Sequence, residues 1–600
     1  MADVNTRPTL ASELAREFNL AADITAGRFN FLGRKVDMAE RVDWHLQTVS
    51  QLWRYHLHYF GYVRPLLLAA QVQRNDVAYL TFRRLVQSWM SSNERLRGDG
   101  WHPYTLSLRL VNWLQAVAIW APRLAADPEF REGLLLSVYG QARMLRRQLE
   151  FDVRGNHLLE NLRGLLWAGV AFGGAEAYEW SQTALRLLQK ETAEQVLDDG
   201  GHFERTPGYH VIVLKDYLEI ALLLTRNAGG CPNWLREAVR RQAFFLREIL
   251  GPRQRVPLIK DTAYDAAPNS DDILNSAAAW LNEPRLKPAA APGLETFLLL
   301  GEAEWKKVSV WPEAPRLTGG TALSASGFYV LRGHDGEHAI IDAGRPCPDY
   351  LPAHAHADTF SFEYHVRGVP VIVDSGVYEY QPGPWRDFFR STRAHNTLEI
   401  HGCDSSEVWA SFRVGRRAYP RVKVWKSAGG RAQLLATHDG YCHLEGKPVH
   451  ERAMLWREGD YLIVLDRVTG AGIFPLVSYL HFHPALEPRE ESQGLWTIDV
   501  HGSPLWLHRL GKGDVALVCG REQPFPQGWY SERFGEKKPN RVLNFRHDAA
   551  LPHVSGYAFS SHDDFACTIE RQGIDVHMNV KFAGSSCSYR VSEGSVECFS

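Results

Sequence analysis

The hydrophobic pattern of the chain changes its period near Pro315, and this change limits the fold to a helical part followed by a strand part. Before this point apolar residues recur at i, i+3, i+4 and i+7, as in the series Phe82, Leu85, Val86 and Trp89. This spacing places them on one face of an amphipathic helix. The helical rhythm runs from about Ala11 to about Gly301, with short connections that contain Gly, Pro or Asp. Such helices pack as hairpins, which predicts an α/α toroid with a central cleft.

After Pro315 the period falls to two. Apolar and polar residues alternate between Phe360 and Arg367, which predicts a half-buried strand, and a turn at Gly368 leads into a second strand. Short strands and Gly-rich turns continue to Ser600, as expected of antiparallel sheets stacked in a sandwich. The predicted fold class is α+β multidomain. An N-terminal α/α toroid (an incomplete helical barrel) covers residues 1–310, and an antiparallel β-sandwich covers residues 311–600.

Charge and cysteine usage exclude several classes of function. The formal net charge of −2 gives no protein-wide field for nucleic acid or a membrane surface, so local basic residues must meet an anionic ligand. The eight cysteines include no CxxC pair, which argues against a thiolate zinc site and a disulfide framework. The N-terminus lacks the pattern of a signal peptide, so we expect a cytoplasmic protein, or a periplasmic one where the native start is missing. The oligomeric state stays open.

Four polar clusters stand out from this scaffold. They are Arg154–Glu160, Asp198–His210, Pro352–Asp358 together with Asp374, and Ala394–Thr397. The first also fits a capped helix with a solvated polar end, and Tyr209 in the second also fits a buried tyrosine with one hydrogen bond. His356, Asp374 and His395 are a possible two-His, one-carboxylate set for Zn²⁺ or Mn²⁺, although their spacings of 18 and 21 residues are not diagnostic.

These clusters together resemble the heparinase II/III-like polysaccharide lyases and the related alginate lyases. The resemblance covers nearly the whole chain. It is carried by HAHADTFSFEYHVRGVPVIVDSGVYEY with STRAHNTLEI, and by RGNHLLENLRGLLWAG and GGHFERTPGYH. It implies that the toroid is the catalytic domain of a lyase. The implied substrate is a uronate-containing acidic polysaccharide, similar to a glycosaminoglycan, which β-elimination cleaves to leave unsaturated uronate ends.

The resemblance also implies roles for matching residues. Asn156, with His157, would bind the substrate carboxylate, Tyr209 and His354 would be catalytic, and one structural divalent metal would be held by His356, Asp374 and His395. Glu160 matches a glutamate near the cleft of some relatives. The remaining candidates for substrate binding are the charged pair Glu204 and Arg205 and the stacking or cationic groups Arg109 and Trp113.

The chemistry of elimination agrees with these roles. Removing the C5 proton of a uronate creates a second negative charge beside the carboxylate, and Asn156 can stabilise that charge as it develops. His354 supplies an imidazole, the side chain that most often serves as a general base at neutral pH. Tyr209 can protonate the departing O4 or act as the base, depending on the C5 epimer. Because Tyr209 precedes His354 by 145 residues, in the helical part, we expect a site assembled between the two domains.

Other readings remain open. The same fold could serve a glycan-binding protein without catalysis, or a metal-dependent hydrolase that adds water. Alginate, glucuronan or a bacterial exopolysaccharide could replace a glycosaminoglycan as the substrate. Only elimination produces a conjugated uronate that absorbs in the near ultraviolet, so one spectrophotometric assay separates these readings.

Overall fold

A computed structural model describes residues 10–39, 41–227 and 229–599. The helices before residue 310 are α1 (Leu10–Thr25), α2 (Gln51–Tyr59), α3 (Val63–Val72), α4 (Asp76–Ser92), α5 (Pro103–Ile119), α6 (Ala121–Ala125), α7 (Pro128–Arg147), α8 (Gly155–Ala171), α9 (Ala175–Gln195), α10 (Pro207–Asn227), α11 (Asn233–Ile249), α12 (Ser270–Leu281), α13 (Leu294–Leu300) and α14 (Glu302–Ser309). A hairpin of β1 (Arg28–Phe31) and β2 (Arg34–Asp37) lies between α1 and α2. No helix among the described residues is long and apolar enough to cross a membrane.

The apolar stripes found in the sequence are the buried faces of these helices. In α4, for example, the side chains spaced at helical period are at most 1% exposed: Phe82, Leu85, Val86 and Trp89. Burial of one such large apolar side chain contributes about 1.5–3 kcal/mol. Packing of these faces, more than intrinsic helix propensity, therefore stabilises the helical region.

The strands after residue 310 form the antiparallel part. They are β3 (Gly319–Leu323), β4 (Phe328–Arg332), β5 (His338–Asp342), β6 (Phe362–Val366), β7 (Val369–Ile372), β8 (Leu398–Ile400), β9 (Val408–Trp409), β10 (Arg413–Val414), β11 (Pro420–Ala428), β12 (Arg431–His438), β13 (Val449–Arg457), β14 (Tyr461–Thr469), β15 (Ile473–His481), β16 (Arg489–Ser492), β17 (Leu495–Val500), β18 (Ser503–Leu510), β19 (Asp514–Cys519), β20 (Trp529–Arg533), β21 (Glu536–Pro539), β22 (Arg541–Ala550), β23 (His553–Ser560), β24 (Ala566–Gln572), β25 (Asp575–Phe582), β26 (Ser585–Ser592) and β27 (Ser595–Phe599), with one helix, α15 (Pro384–Arg390).

Four larger sheets organise these strands within the described residues. Their strand orders are β3-β4-β5-β6-β7, β11-β12-β13-β14-β23-β18-β17-β16, β19-β22-β15-β8 and β24-β25-β26-β27. Apolar residues of the first three sheets share one core cluster, which contains for instance Phe362, Val464 and Phe545. Side chains of neighbouring sheets thus bury each other, as in a sandwich.

The described residues divide into two compact units. The first contains the residues up to Val196 together with Ile212–Ala243 and Asp271–Ala314, and the second contains Leu197–Val211, Phe244–Ser270 and the residues from Pro315. Two segments that precede the predicted boundary at 310 therefore fold with the strands. One carries the beginning of α10, and the other contains the last residues of α11 and the loop that follows it.

Strand β6 corrects one expectation. The alternating pattern predicts a strand with one face in solvent, yet all five residues of β6 are buried. Phe362 and Tyr364 face the sandwich core, while Glu363 accepts a hydrogen bond of 2.9 Å from the backbone N–H of Leu258. The segment Phe244–Ser270 covers the polar face, which the local sequence of the strand does not reveal.

Candidate functional site

In the second unit Tyr209 and His354 lie ring on ring. Their ring centroids are 3.9 Å apart and their planes are inclined by 28°. Tyr209 is half-buried in the first turn of α10, and its hydroxyl lies 3.2 Å from the hydroxyl of Tyr380. Burial raises the pKa of Tyr209 above the ordinary value of tyrosine, so the phenol keeps its proton at neutral pH. The two predicted catalytic side chains are therefore neighbours within one compact unit.

A buried aspartate, Asp261, orients His354. Its Oδ2 atom lies 3.1 Å from Nδ1 of His354, and its Oδ1 atom lies 2.9 Å from Nε2 of His356. Arg386 donates to both carboxylate oxygens, with 2.9 Å between Nη2 and Oδ2. Burial opposes ionisation of Asp261, but Arg386 and the two imidazoles hold its pKa well below the usual range. An ionised carboxylate at Nδ1 favours the tautomer of His354 that carries its proton on Nδ1.

The Gly-rich segment before α10 contributes Glu204, whose Oε2 atom lies 3.4 Å from Nε2 of His354. The side chain of Glu204 is buried beside the catalytic pair. Arg205 adopts a left-handed backbone conformation with φ 54° and donates to the carbonyl oxygens of Phe203 and Ala325. Of these two predicted substrate-binding residues, Glu204 thus contacts the catalytic histidine, while the Arg205 guanidinium binds the protein's own backbone.

The predicted metal ligands are buried close to this pair. Nδ1 of His395 lies 2.8 Å from Oδ2 of Asp374, and the rings of His356 and His395 are 5.3 Å apart. Nδ1 of His356 and Nε2 of His395 have no hydrogen-bond partner among the described residues. Buried imidazole nitrogens without partners fit a divalent cation. Within the same residues, however, no group of three or more His, Cys, Asp or Glu side chains is arranged to hold one, so the metal stays a prediction.

In the first unit Asn156 and His157 begin helix α8. Arg154 and Gly155 both have positive φ, of 63° and 55°, and this turn leads the chain into the helix. Nδ1 of His157 lies 3.0 Å from Oε1 of Glu150, and its ring lies 4.2 Å from that of Tyr104. His157 is thus fixed by a carboxylate and an aromatic face, and it remains partly exposed.

Glu160 does not fit the predicted role near a substrate. Its carboxylate is 3% exposed and accepts two hydrogen bonds from Arg163, at 2.6 and 3.1 Å. Arg163 also binds Asp216 and Glu219. The His157–Glu160 spacing identified a helix face, but this carboxylate belongs to a buried ion-pair network, so the prediction for Glu160 is wrong.

Arg109 and Trp113 also lie where their predicted role as substrate-binding residues does not fit. Both side chains are 0% exposed. The guanidinium of Arg109 lies 4.0 Å from the ring centroid of Trp89 and donates to Oε1 of Gln141 at 2.9 Å. A fully buried side chain cannot contact a polysaccharide, so the predicted substrate contacts of these two residues are wrong.

Asp261, Tyr380 and Arg386 belong to the site although none of the predicted site residues is among them. Tyr380 ends the segment VDSGVYEY that carried the family resemblance, so its place could have been suspected. Asp261 follows the apolar run Val256–Ile259 in a stretch that looks like a loop between helices. Its proximity to His354 is a tertiary contact across 93 positions, and no local pattern encodes it.

Two models of one protein family together match nearly all of this chain. Residues 15–283 match the family model for the Heparinase II/III N-terminus, and residues 315–568 match the model Heparinase II/III-like, C-terminal. A solved structure of heparinase III superposes on 99% of this chain and 94% of its own length, with a TM-score of 0.79 at 16% identity. This likeness shows the fold and confirms the predicted toroid followed by an antiparallel β-sandwich.

Curated relatives carry two kinds of name. A heparin-sulfate lyase of Bacteroides stercoris is 23% identical over 470 residues, which are 72% of this chain and 64% of the relative. A protein of Caulobacter vibrioides named FtsZ-localized protein C is 25% identical over 372 residues, which are 60% of this chain and 56% of that protein. The chain thus spans less than two thirds of the length of each of these relatives.

Proposed function

The chain belongs to the heparinase II/III-like family, and from that premise we propose that it is a polysaccharide lyase that cleaves a uronate-containing acidic polysaccharide by β-elimination. The observation that carries the proposal is the stack of Tyr209 on His354, with His354 fixed by the ionised Asp261. A glycan-binding protein without catalysis has no need for an oriented imidazole beside a phenol. Acid–base chemistry needs both groups.

His354 is the base of the proposed reaction. With its Nδ1–H donated to Asp261, His354 carries its lone pair on Nε2, which takes the C5 proton of the uronate. The Glu204 carboxylate, 3.4 Å from Nε2, then attracts the proton-bearing imidazolium. Removal of this proton leaves an electron pair that forms the C4–C5 double bond as the C4–O4 bond breaks. The Asp261 carboxylate stabilises the imidazolium that results, because opposite charges at hydrogen-bond distance favour each other.

Tyr209 is the acid. A tyrosine with a raised pKa holds its proton firmly in the ground state, and the departing O4 alkoxide is basic enough to take it. Tyr380, 3.2 Å away, can then donate a hydrogen bond to the phenolate that forms. One proton leaves C5, one proton reaches O4, and no water is added.

Asn156 and His157 complete the proposal from the family resemblance. The amide of Asn156 would donate to the uronate carboxylate, where the charge of the enolate develops. His157, held by Glu150, would add a second donor. The heparin-sulfate lyase among the relatives supports a glycosaminoglycan as the substrate class.

The test is the ultraviolet absorbance of an unsaturated uronate, measured on heparan sulfate, alginate and glucuronan. Tyr209→Phe removes only the hydroxyl and His354→Ala removes the base, so each variant should lower kcat by roughly 10²–10⁴-fold while its melting temperature stays close to that of the parent. Tyr264→Phe, at a partly buried tyrosine of the same unit outside the catalytic pair, is the control. A folded Tyr209→Phe protein with normal turnover would refute the mechanism.

A divalent metal bound through His356, Asp374 and His395 would supply a structural anchor for the segment that carries His354. We expect one zinc or manganese per chain by elemental analysis of the purified protein. Chelation should then lower the melting temperature, because metal binding energy is folding energy. Protein that contains no metal and melts at the same temperature with and without chelator would remove the metal from the proposal.

A protein that keeps this fold without cleaving polysaccharide is the second candidate. It is favoured by one relative named for its localisation to FtsZ and not for an activity. Absence of ultraviolet product with every uronate polymer, from a protein that still binds one of them, would favour this candidate.

A further inference from the structure

A cluster of aromatic rings with a lysine over it lies in the second unit, outside the catalytic pair. We call Tyr378, Trp385, Trp529 and Lys537 the aromatic platform. The ring centroids of Trp385 and Trp529 are 5.4 Å apart, and those of Tyr378 and Trp385 are 6.0 Å apart. Nζ of Lys537 lies 4.1 Å from the ring centroid of Trp385 and 5.0 Å from each of the other two. One ammonium group is therefore held by three rings.

The platform is not a closed part of the core. Its rings pack on one side against Phe388, Phe389 and Ala394, and all three rings and the lysine remain partly exposed. Among the described residues no carboxylate lies within ion-pair distance of Lys537. Its charge acts at longer range on Glu379, where it opposes the rise that burial causes in the pKa of that carboxyl group. A cation fixed by ring faces, with its N–H groups not used by a protein anion, is prepared for an anionic ligand.

The segment 378–386 carries two of the platform's rings, Tyr378 and Trp385, together with residues of the catalytic site. Tyr378 precedes Tyr380 by two positions, so their α-carbons are at most about 7 Å apart. Trp385 directly precedes Arg386, which holds Asp261. One short oligosaccharide is therefore long enough to reach both the platform and the catalytic pair.

Further cationic groups lie beside the platform. The indole N–H of Trp529 donates to the carbonyl oxygen of Arg521 at 3.0 Å. The guanidinium groups of Arg393 and Arg521 lie 4.2 and 5.1 Å from the ring centroid of Phe525, which is 43% exposed. Arg393 is paired with Glu399 at 3.1 Å, so Arg521 is the cation that adds positive charge for a sugar anion here, while the ring of Phe525 offers an apolar face for sugar C–H groups.

We propose that the aromatic platform is a binding subsite for an anionic sugar of an acidic polysaccharide, with Lys537 pairing to the sugar's carboxylate or sulfate and the ring faces stacking on the sugar. This proposal rests on the proposed function for the identity of the polymer. The binding itself does not depend on cleavage. The subsite would hold the chain at a position outside the bond that is broken and so favour charged over neutral glycans.

Binding is measured in the Tyr209→Phe background, so that no substrate is consumed. The probes are a heparan sulfate octasaccharide, an unsulfated heparosan octasaccharide and the neutral maltooctaose, each titrated by calorimetry. Lys537→Gln should raise Kd about tenfold for a charged probe, since a charge-assisted contact is lost. Lys537→Arg keeps the charge and should stay within about twofold. Trp385→Leu keeps an apolar side chain without the ring and should also weaken binding.

Lys538→Gln is the matched control, because it removes the same charge one residue away, where Lys538 pairs with Glu532. Loss of affinity for both charged probes identifies the carboxylate as the ligand group, and loss for the sulfated probe alone identifies the sulfate. Equal Kd values for Lys537→Gln and Lys538→Gln, or maltooctaose binding as tight as that of the charged probes, would overturn the subsite. Failure of the lyase proposal would instead appear as absent ultraviolet product from the parent protein.

Discussion

Asp261 contacts several side chains of the catalytic site and orients the catalytic histidine. One carboxylate accepts hydrogen bonds from His354, His356 and Arg386, and the side chain of Asp261 is fully buried. The guanidinium keeps the carboxylate ionised, and the carboxylate in turn selects the tautomer of His354. Asp261 is thus a positioning residue that acts through the base, and its loss should affect the chemical step more than substrate binding.

We expect Asp261→Asn to lower kcat by roughly 10²-fold or more with a smaller change in KM, since an amide no longer selects the reactive tautomer of His354. The variant should also melt at a lower temperature, because Arg386 loses its buried partner. Asp265→Asn replaces an exposed aspartate of the same segment. It should change neither kcat nor the melting temperature. An Asp261→Asn protein whose KM rises while kcat is unchanged would make Asp261 a substrate-binding residue.

At this scale the sequence predicts residue types better than partners. Tyr209 and His354 were identified because each lies in a polar motif that resembles a family pattern, and the structure brings them into contact. Glu160 and Arg109 were misassigned for a physical reason. A charged side chain in a helical motif looks the same whether it faces a ligand or a buried counter-charge, and only packing decides between the two.

At the scale of elements, strands β13 and β14 hold the segments that carry the predicted metal ligands. Arg452 of β13 binds Asp466 of β14 through two hydrogen bonds of 2.7 and 2.8 Å. It also donates to the carbonyl oxygens of Phe360 and Asn396, at 2.8 and 2.7 Å. His450 lies 2.8 Å from the same aspartate. One buried ion pair therefore connects the central sheet to two loops of the site.

Replacing Arg452 with Met should destabilise the second unit by about 3–5 kcal/mol, because Asp466 would remain buried with its main counter-charge removed. Arg457→Met on the same strand is the control. Its partly exposed pair with Asp460 should contribute at most about 1 kcal/mol. Denaturant unfolding monitored by tryptophan fluorescence compares the two variants. Equal losses of stability would show that the Arg452 network is not a main support of this unit.

The elements themselves were largely predictable, whereas their grouping was not. Helical spacing in α4 and alternation in β6 follow from contacts along one element, and the structure contains both. The assignment of Phe244–Ser270 to the second unit depends on contacts such as that of Leu258 with Glu363, 105 positions away. Periodicity carries no information about such pairs. The sequence therefore predicts a single domain boundary, whereas the chain passes several times from one compact unit to the other.

At the scale of the whole molecule, buried neutral histidines in both units make stability depend on pH. In the first unit, Nε2 of His58 lies 3.0 Å from the carbonyl oxygen of Trp44, and the Trp89 indole donates to Nδ1 at 3.0 Å. Burial lowers the pKa of His58 to about 3. In the second unit burial lowers the pKa of His365 to about 3. Both side chains are neutral in the folded protein at any pH above 5.

The sign of the dependence follows from proton binding. In the unfolded chain each histidine titrates near pH 6.5. Below that pH the unfolded state therefore binds a proton that the folded state does not bind. Each group then removes about 1.4 kcal/mol of stability per pH unit as the pH falls from 6.5 towards 3. Burial raises the pKa of Glu363 to about 8. Between pH 8 and the lower pKa of this group in the unfolded chain, its contribution to stability therefore increases as the pH falls, opposite to that of the histidines. One carboxyl group offsets one histidine, so the net effect of these three groups is a loss on acidification.

We therefore expect the melting temperature to fall between pH 6.5 and 5.0, measured by calorimetry in buffers of equal ionic strength. His58→Gln should lower stability at pH 7.5 but flatten this slope, because the residue that binds the extra proton on unfolding is gone. The flattening amounts to about 1.4 kcal/mol per pH unit, or on the order of 2–4 °C for a unit of this size. His501→Gln, which replaces an exposed histidine, should leave the slope unchanged. If the melting temperatures of the His58→Gln and His501→Gln proteins both depend on pH as that of the parent does, buried histidines are not the cause of the loss of stability at low pH.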